Sequence, residues 1–315
     1  MKRIAVLGSI NMDLMVETPR LPQIGETILG NEIHYLPGGK GANQAVAAAR
    51  LGIKTYLIGS IGKDAFGEDL AKRLGEEENL SLIGLQALYT STGMATVFKT
   101  ETDNAIIVIP GANAESKRYL VDKQLGILLA ANVLLAQLEI PLDTVKYAFE
   151  QSKKAKTLTI LNPAPYQSLP EDLLDLVDYI TPNESEFSAM VGLQAGEDIE
   201  EKMLAWSQKH KTKLIVTRGS RGVSYCENQQ VITLEGEPVQ VVDTTGAGDT
   251  FNGALAVALA QQKSLEEAIR FADQAARLSV QKFGAQGGMP NLTEMHLTYG
   301  LEPINQETEQ SEDEA

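Results

Sequence analysis

The stretch Thr245-Gly246-Ala247-Gly248-Asp249 holds the residues of this chain that could best perform chemistry. An apolar run with helical spacing follows from Phe251 to Leu259, so Gly246 to Gly248 should form a tight turn whose N–H groups point at an anion. Asp249, in the first helical turn, could take a proton from a hydroxyl nucleophile beside that anion. An anion hole next to a base is what phosphoryl transfer requires, although an acid here could also merely cap a helix.

A second glycine cluster, Gly38-Gly39-Lys40-Gly41-Ala42-Asn43-Gln44, leads into another helical pattern. It does not match the phosphate-binding motif G-x-x-x-x-G-K-[ST], because His34 replaces the first glycine and Gly41 replaces the hydroxyl residue. The segment after the first strand, Gly8 to Asp13, has one of the three glycines of a dinucleotide fingerprint. Both nucleotide motifs are therefore rejected.

The glycine cluster instead predicts a loop where a small polar ligand touches the backbone. Lys40 and Asn43 can donate hydrogen bonds there, and Asn11 and Asp13 stand near the end of the first strand. Open α/β sheets bind ligands at the carboxyl ends of their strands, and this mixture of donors and acceptors suits a polyol. Taken alone, Asn11-x-Asp13 is more typical of a polar turn than of a ligand site.

Two further segments have both a structural and a functional interpretation. Asn183 with Glu186 three residues later has the form of a capping box at the start of a helix. Residues Thr217 to Gly222 follow a short strand and could be a plain turn or a backbone cradle for nucleotide phosphates.

Short β-branched runs alternate with helical patterns from Ile4–Leu7 to the two long helices predicted at Thr250–Gln261 and Leu265–Phe283. This alternation predicts an α/β fold, with a mostly parallel central sheet and helices on both faces. Two segments with alternating apolar residues break the rhythm and predict a small β-sheet lid that excludes water from the site. The predicted division is a kinase domain of residues 1–13, 37–92 and 110–303, a lid of residues 14–36 and 93–109, and an acidic disordered tail of residues 304–315.

The composition excludes several classes of protein. The formal charge of −15 argues against nucleic acid as a partner. The single cysteine, Cys226, excludes an internal disulfide and fits a reducing cytoplasm, and with only three histidines a zinc site is not expected. We see neither a signal peptide nor a membrane span, so a cytoplasmic location without a membrane partner is expected.

Together these segments resemble the ribokinase-like (PfkB) family of carbohydrate kinases from Ile4 to about Pro290. The loop at residues 38–44 and Asp-Thr-Thr-Gly-Ala-Gly-Asp-Thr-Phe-Asn-Gly at residues 243–253 resemble the two family signatures. Shorter matches fall in the family's order: Gly111-Ala112-Asn113, Gln137-Leu138-Glu139, Asn162-Pro163-Ala164-Pro165 and Thr181-Pro182-Asn183-Glu184.

The resemblance implies transfer of the γ-phosphoryl group of ATP to O5 of D-ribose, with Asp249 as base and Gly246, Ala247 and Gly248 as anion hole. It implies a sugar site made of Asn11, Asp13, Gly39, Lys40, Asn43, Glu139 and Asp249. It implies an ATP site made of Asn183, Thr217, Arg218, Gly219, Ser220, Arg221, Gly222, Gly248 and Asp273. Asp273 departs from the family's pattern. An acid near the adenine or ribose of ATP could hydrogen-bond a hydroxyl group, yet it would repel phosphate.

The resemblance also implies Mg²⁺ with ATP, supported by Glu186, and K⁺ as a monovalent activator. The K⁺ ligands by position are Asp243, Thr245, Ser279, Lys282, Gly284 and Gly288. Gly288 stands where the family can have serine, so a hydroxyl ligand is lost there and only the carbonyl remains. A homodimer through the lid is expected.

Alternatives remain open. The same chemistry could act on 2-deoxyribose, fructose or a nucleoside, or the protein could be a non-catalytic sugar sensor. The intact Asp249 and its glycine turn argue against the sensor.

Overall fold

The computed structural model describes residues 2–100 and 104–300. The predicted acidic tail, residues 304–315, lies outside the described residues. The thirteen strands of the described part, β1 to β13 in order, are Arg3–Leu7, Asn11–Glu17, Glu32–Gly38, Lys54–Gly62, Leu80–Leu88, Gly93–Lys99, Asn104–Ile109, Val133–Ala136, Leu158–Leu161, Tyr179–Ile180, Lys213–Thr217, Val223–Glu227 and Gln230–Leu234.

Twelve α-helices accompany these strands in the same two ranges. In order, α1 to α12 are Lys40–Arg50, Ala65–Gly75, Arg118–Lys123, Leu125–Ala130, Leu142–Lys154, Glu171–Leu174, Glu184–Val191, Ile199–Lys209, Ala247–Ala260, Leu265–Ser279, Ala285–Gly288 and Leu292–Tyr299. Helix α10 ends before the predicted Phe283, because the Val280 carbonyl accepts the N–H groups of Val242 and Asp243 from a neighbouring segment.

The larger sheet has the order β13-β12-β11-β10-β9-β8-β1-β4-β5, and its pairs are parallel except β11–β12 and β12–β13. Alternate residues of β1 pack into two separate cores. Ile4 and Val6 pack with α1, α9 and α10, whereas Ala5 and Leu7 pack with α3 to α8 on the other face. The predicted parallel sheet with helices on both faces is confirmed.

The smaller sheet has the order β3-β2-β6-β7. Two of its strands extend beyond the first predicted lid segment, residues 14–36. Strand β2 already starts at Asn11, and β3 continues to Gly38. Asn11 and Asp13 therefore lie on the smaller sheet, not at the end of β1 as expected. Asn and Asp have low strand propensity, so their types alone suggested a turn.

No helix in the described ranges is long and apolar enough to cross a membrane.

Candidate active site

A pocket lies where the carboxyl ends of the central parallel strands meet the N-terminus of α9. Asn162 and Thr181 come directly after β9 and β10, and Thr217 ends β11. Such strand ends are where open α/β sheets bind ligands. The pocket is lined by Lys40, Asn162, Ala164, Thr181, Asn183, Glu186, Thr217, Gly246, Gly248, Asp249 and Asn252.

The glycine turn opens α9 as predicted, with Gly246 as the residue before the first helical turn at φ 79°. A Cβ added to Gly246 would lie 2.9 Å from Cα of Ala285, so the turn packs directly on another segment. A Cβ added to Gly248 would meet nothing within 4 Å, because that position faces the open pocket. The N–H groups of the first turn are thus accessible to an anion in the pocket.

The Asp249 carboxylate is not a helix cap, because its oxygens bond to α1 instead. Asn43 Nδ2 donates to Oδ2 at 2.9 Å, and Gln44 Nε2 donates to Oδ1 at 3.0 Å. Asp249 is 7% exposed and lines the pocket. Two amide donors hold the plane of the carboxylate, which suits a base.

Further amides surround these two donors. Gln137 Nε2 donates to Gln44 Oε1 at 2.6 Å, and Gln286 Nε2 donates to Asn43 Oδ1 at 3.0 Å. Gln44 Nε2 also donates to Asn162 Oδ1 at 3.0 Å. Sequence reasoning missed Gln44, Gln137, Asn162 and Gln286 as site residues, although the first three stand in motifs that we had matched to the family.

Lys40, at the first position of α1, lies among four carboxyl groups. Burial lowers the pKa of its ammonium, but Asp249, Glu139, Glu186 and Asp13 raise it more, so the net pKa lies above the ordinary value. Lys40 is therefore charged at neutral pH and places a cation in the pocket. The side chain is suited to phosphate oxygens or sugar hydroxyls.

Glu139 is held at the start of α1. Its Oε2 accepts the Ser9 hydroxyl at 2.5 Å and the backbone N–H of Lys40 at 3.1 Å. Helix N-termini attract carboxylates, which accounts for the position. A Cβ added to Gly41 would lie 2.5 Å from the carbonyl carbon of Gly8, so glycine at this position of the loop allows α1 to approach the end of β1.

Asp13 is half-buried, and its Oδ1 is buried without a hydrogen-bond partner among the described residues. Burial, then Glu139 and Asp249, raise the pKa of Asp13 to about 7, while Lys40 lowers it. A buried carboxyl group without a partner is costly, and a ligand hydroxyl would remove that cost. Nearby, Asn11 Oδ1 accepts Asn113 Nδ2 at 2.7 Å.

Asn183 and Glu186 form the predicted capping box of α7. Asn183 Oδ1 accepts the Glu186 N–H and Glu186 Oε2 accepts the Asn183 N–H, both at 2.8 Å. Both residues also line the pocket, so a cap and a role in the site coexist. Burial raises the pKa of Glu186 above its ordinary value, even though the Asn183 N–H and Lys40 lower it.

Three charged residues that were predicted at the nucleotide site pair their side chains with other residues of the chain. Arg218 donates to Glu200 and Ser224, Arg221 pairs with Glu184, and the Asp273 carboxylate accepts from Arg277 Nε at 2.6 Å. None of these three side chains lines the pocket. Arg218 and Arg221 pair with acids of α8 and α7, and Asp273 pairs with Arg277 within α10. The predicted backbone cradle at residues 217–222 stays a prediction. Gly219 to Arg221 form a 3₁₀ turn between β11 and β12.

The predicted cation residues surround the loop before α11. Asp243 Oδ1 accepts the N–H and hydroxyl of Thr245, and Oδ2 accepts the Gly284 N–H at 2.9 Å. Burial raises the pKa of Asp243, but these hydrogen bonds lower it more. The net pKa therefore lies below the ordinary value. A Cβ added to Gly288 would lie 2.2 Å from the Ser279 carbonyl oxygen. Lys282 pairs its ammonium with Glu294, which leaves its carbonyl as the candidate ligand.

Comparison with known proteins decides the family. The profile described as pfkB family carbohydrate kinase matches residues 1–292. The chain belongs to this family. The predictions of a carbohydrate kinase, and of a phosphotransferase with this fold, are confirmed.

The relatives of this carbohydrate kinase cover nearly its whole length. A ribokinase of Lactococcus lactis subsp. lactis is 43% identical over 298 residues, which are 94% of this chain and 96% of that protein. A ribokinase of Bacillus subtilis is 40% identical over 295 residues, 94% of this chain and 98% of that protein. The structure of Arabidopsis thaliana ribokinase complexed with ribose and ATP is similar with a TM-score of 0.86 and 37% identity, covering 93% of this chain and 97% of that one.

In a carbohydrate kinase, the arrangement supplies the parts that phosphoryl transfer needs. Asp249 is an oriented carboxylate, the α9 turn offers N–H groups to an anion, and Lys40 adds a positive charge. Phosphoryl transfer depends mainly on positioning and charge neutralisation, and these fixed groups are suited to both.

Proposed function

We propose that this chain transfers the γ-phosphoryl group of ATP to O5 of D-ribose, giving D-ribose 5-phosphate and ADP. The observation that carries the proposal is the buried Asp249 carboxylate, held by two amide donors beside an open glycine turn. The relatives that match over nearly the full chain are named ribokinases, which supports ribose as the sugar.

In this proposal Asp249 takes the proton of the O5 hydroxyl as O5 bonds to the γ-phosphorus. The bond from phosphorus to the bridging oxygen breaks, and ADP leaves with its electron pair. The N–H groups of Gly246, Ala247 and Gly248 bind the phosphoryl oxygens as their charge grows.

The proposed sugar site joins both sheets. Asp13 supports it most strongly, because its buried Oδ1 needs a donor and a sugar hydroxyl supplies one. The remaining proposed contacts come from residues that stand around the N-terminus of α1: Asn11, Gly39, Lys40, Asn43 and Glu139.

For the nucleotide, the proposal retains Asn183 and Thr217, which line the pocket and pair in an isolated bridge. The backbone of the 3₁₀ turn, not the Arg218 and Arg221 side chains, would contact ATP.

The Glu186 carboxylate, which lines the pocket, fits Mg²⁺ that arrives with ATP. In the described ranges, no group of three or more His, Cys, Asp or Glu could hold a metal by protein ligands alone. Mg²⁺ typically keeps its waters and binds through nucleotide phosphates plus one or two carboxylates, and Glu186 offers one in the pocket. When bound, the ion neutralises charge on the phosphate oxygens.

The Asp243 loop fits K⁺ as a proposed activator. The hydrogen-bonded Asp243 carboxylate stays ionised, and hard oxygen donors suit such a cation. The Ser279 carbonyl lies against Gly288, so the missing side chain there leaves room for that carbonyl.

A homodimer through the small sheet is also proposed. Four apolar side chains that are about half exposed share one face of this sheet, on its two edge strands β3 and β7: Ile33, Tyr35, Ile107 and Ile109. A second copy of the chain would cover them, as exposed apolar clusters of this kind mark interfaces. Light scattering should give twice the chain mass, and Ile107→Glu should give the monomer.

A coupled ADP-release assay with ATP and Mg²⁺ tests the function. D-ribose should give the highest kcat/KM in a panel with 2-deoxyribose, fructose and nucleosides, and K⁺ should raise turnover. A sugar lacking a hydroxyl would leave the Asp13 carboxylate unpaired, which penalises it. Highest turnover with another substrate would reassign the sugar, whereas no turnover with any would favour the sensor.

A further inference from the structure

Gln137 is a fully buried glutamine that stands directly after β8 and does not line the pocket. Its Nε2 donates to Gln44 Oε1 at 2.6 Å, and Gln44 Nε2 in turn donates to Asp249 Oδ1 at 3.0 Å. Gln44 is also fully buried. A chain of two amides therefore runs from the sheet to the carboxylate.

The direction of this chain is set at the carboxylate. The Gln44 NH₂ group donates to two oxygens, Asp249 Oδ1 and Asn162 Oδ1, each at 3.0 Å. The Gln44 oxygen then points away and needs a donor, and Gln137 Nε2 supplies it. Without that donor, the buried Gln44 oxygen would be unpaired, and its amide would no longer be held from this side.

When the Gln137 amide turns its NH₂ group toward Gln44, its own oxygen is left without a donor. Gln137 Oε1 is buried without a hydrogen-bond partner among the described residues. A Cβ added to Gly8 would lie 2.0 Å from that oxygen, so only glycine leaves space for it. An unsatisfied carbonyl is expensive, and such exceptions in a native site need a reason.

We propose that Gln137 is a positioning residue for Asp249: it fixes the Gln44 amide so that its NH₂ group holds Oδ1. Gln137 acts through Gln44 and touches no reacting atom. The inference rests on the proposed role of Asp249, and the tests below use whichever sugar the unaltered enzyme phosphorylates, so a wrong sugar would not mimic a failure.

The first test is a double-mutant cycle with Gln137→Met and Gln44→Met. Each single change should lower kcat by about 10-fold or more, with the sugar KM within about 3-fold, because misplacing a catalytic group mainly affects the transition state. The double variant should lose no more than Gln44→Met alone, since Gln137 acts through Gln44. Multiplying effects, or an unchanged kcat in Gln137→Met, would overturn the proposal.

The second test covers the case in which methionine prevents folding. Gln137→Glu introduces a carboxyl group whose protonated form can donate to Gln44 Oε1 and whose ionised form can only accept. Its kcat relative to the unaltered enzyme should therefore be highest at low pH and fall as pH rises. A ratio that stays constant across pH would contradict the proposal.

Gln86→Met is the matched control. The Gln86 amide donates to Ser60 Oγ at 2.8 Å, and it belongs to neither the pocket nor the amide chain. This variant should keep kcat and its pH profile. An equal loss of kcat in Gln86→Met would show that any hydrogen-bonded glutamine has the effect, which would also overturn the proposal.

Discussion

The Asp13 carboxylate occupies the space that a side chain on Gly38 would fill. A Cβ added to Gly38 would lie 2.1 Å from Oδ2 and 2.5 Å from Oδ1 of Asp13. The two residues stand on neighbouring strands of the smaller sheet, β2 and β3. Gly38 of the glycine cluster thus makes room for an acid that the sequence places 25 positions earlier.

Gly38→Ala should therefore displace the Asp13 carboxylate. We expect the sugar KM to rise by about 10-fold or more, because one or more charged hydrogen bonds to the sugar are lost. ATP binding, which uses other residues, should stay within about 2-fold. Calorimetric titration with each ligand measures both, and an unchanged sugar affinity would contradict the role of Asp13.

The raised pKa of Asp13 predicts a pH dependence of stability. The group has a pKa of about 7 when folded and an ordinary value of 3.8, so the folded chain binds the extra proton between these values. The free energy of unfolding should then fall as pH rises from about 4 to about 7, by at most about 4 kcal/mol, and level off above. Asp13→Asn should lose this component. Urea titrations at pH 5 and pH 8 compare the two proteins, and parallel changes in both would contradict the assignment.

Asp249→Asn should lower kcat by about 10³-fold or more, since an amide cannot take the O5 proton. The sugar affinity should change by only a few fold. The variant also places an NH₂ group against Asn43 or Gln44, both of which donate to this residue, so stability should drop by about 1–3 kcal/mol. Steady-state kinetics and thermal unfolding test this, and near-normal turnover would remove Asp249 as the base.

Gly248→Ala and Gly253→Ala form a pair with opposite expectations. A Cβ on Gly248 meets nothing within 4 Å and enters the pocket, so this variant should fold normally yet lose turnover by about 10-fold or more as the phosphate is displaced. A Cβ on Gly253 would lie 2.7 Å from Ala47 Cβ, so that variant should be destabilised by about 1–3 kcal/mol. Melting temperature and kcat of both variants separate the two effects.

Gly288→Ala should raise the K⁺ concentration that gives half-maximal activation, because its Cβ would displace the Ser279 carbonyl oxygen. Gly287→Ala is the control, since a Cβ there meets nothing within 4 Å. Titrating KCl against NaCl, with both turnover and melting temperature as readouts, should show the half-maximal K⁺ concentration unchanged in the control and raised in Gly288→Ala. The same response in both would argue against a cation at this loop.

The sequence predicted the elements whose evidence is local. The turn at Gly246 to Gly248 followed from two glycines before an apolar helical run, and the capping box followed from Asn183 and Glu186 three residues apart. The parallel sheet followed from the alternation of strands and helices. In each case residues close in the chain interact, so their spacing carries the information.

The partners of charged side chains could not be read in this way. The sequence did not indicate that Arg218 would lie against Glu200, from α8, or Arg221 against Glu184, from α7. Which opposite charge reaches a guanidinium or carboxylate depends on how helices and strands pack. Asn11 and Asp13 were predicted near the end of β1 for a related reason. Only the pairing of β2 with β3 and β6 shows that both residues belong to the smaller sheet.

By itself, the sequence determined the family, the fold class and Asp249 as the candidate base, because both signatures are contiguous runs of residues. Only the tertiary structure decided what holds that base. Gln44 and Gln137 are 93 positions apart and Gln44 and Asp249 are 205 apart, yet their amides and carboxylate meet within hydrogen-bond distance. Hydrogen bonds depend on distances of about 3 Å and on direction, which α1, β8 and α9 fix only when they pack around one core.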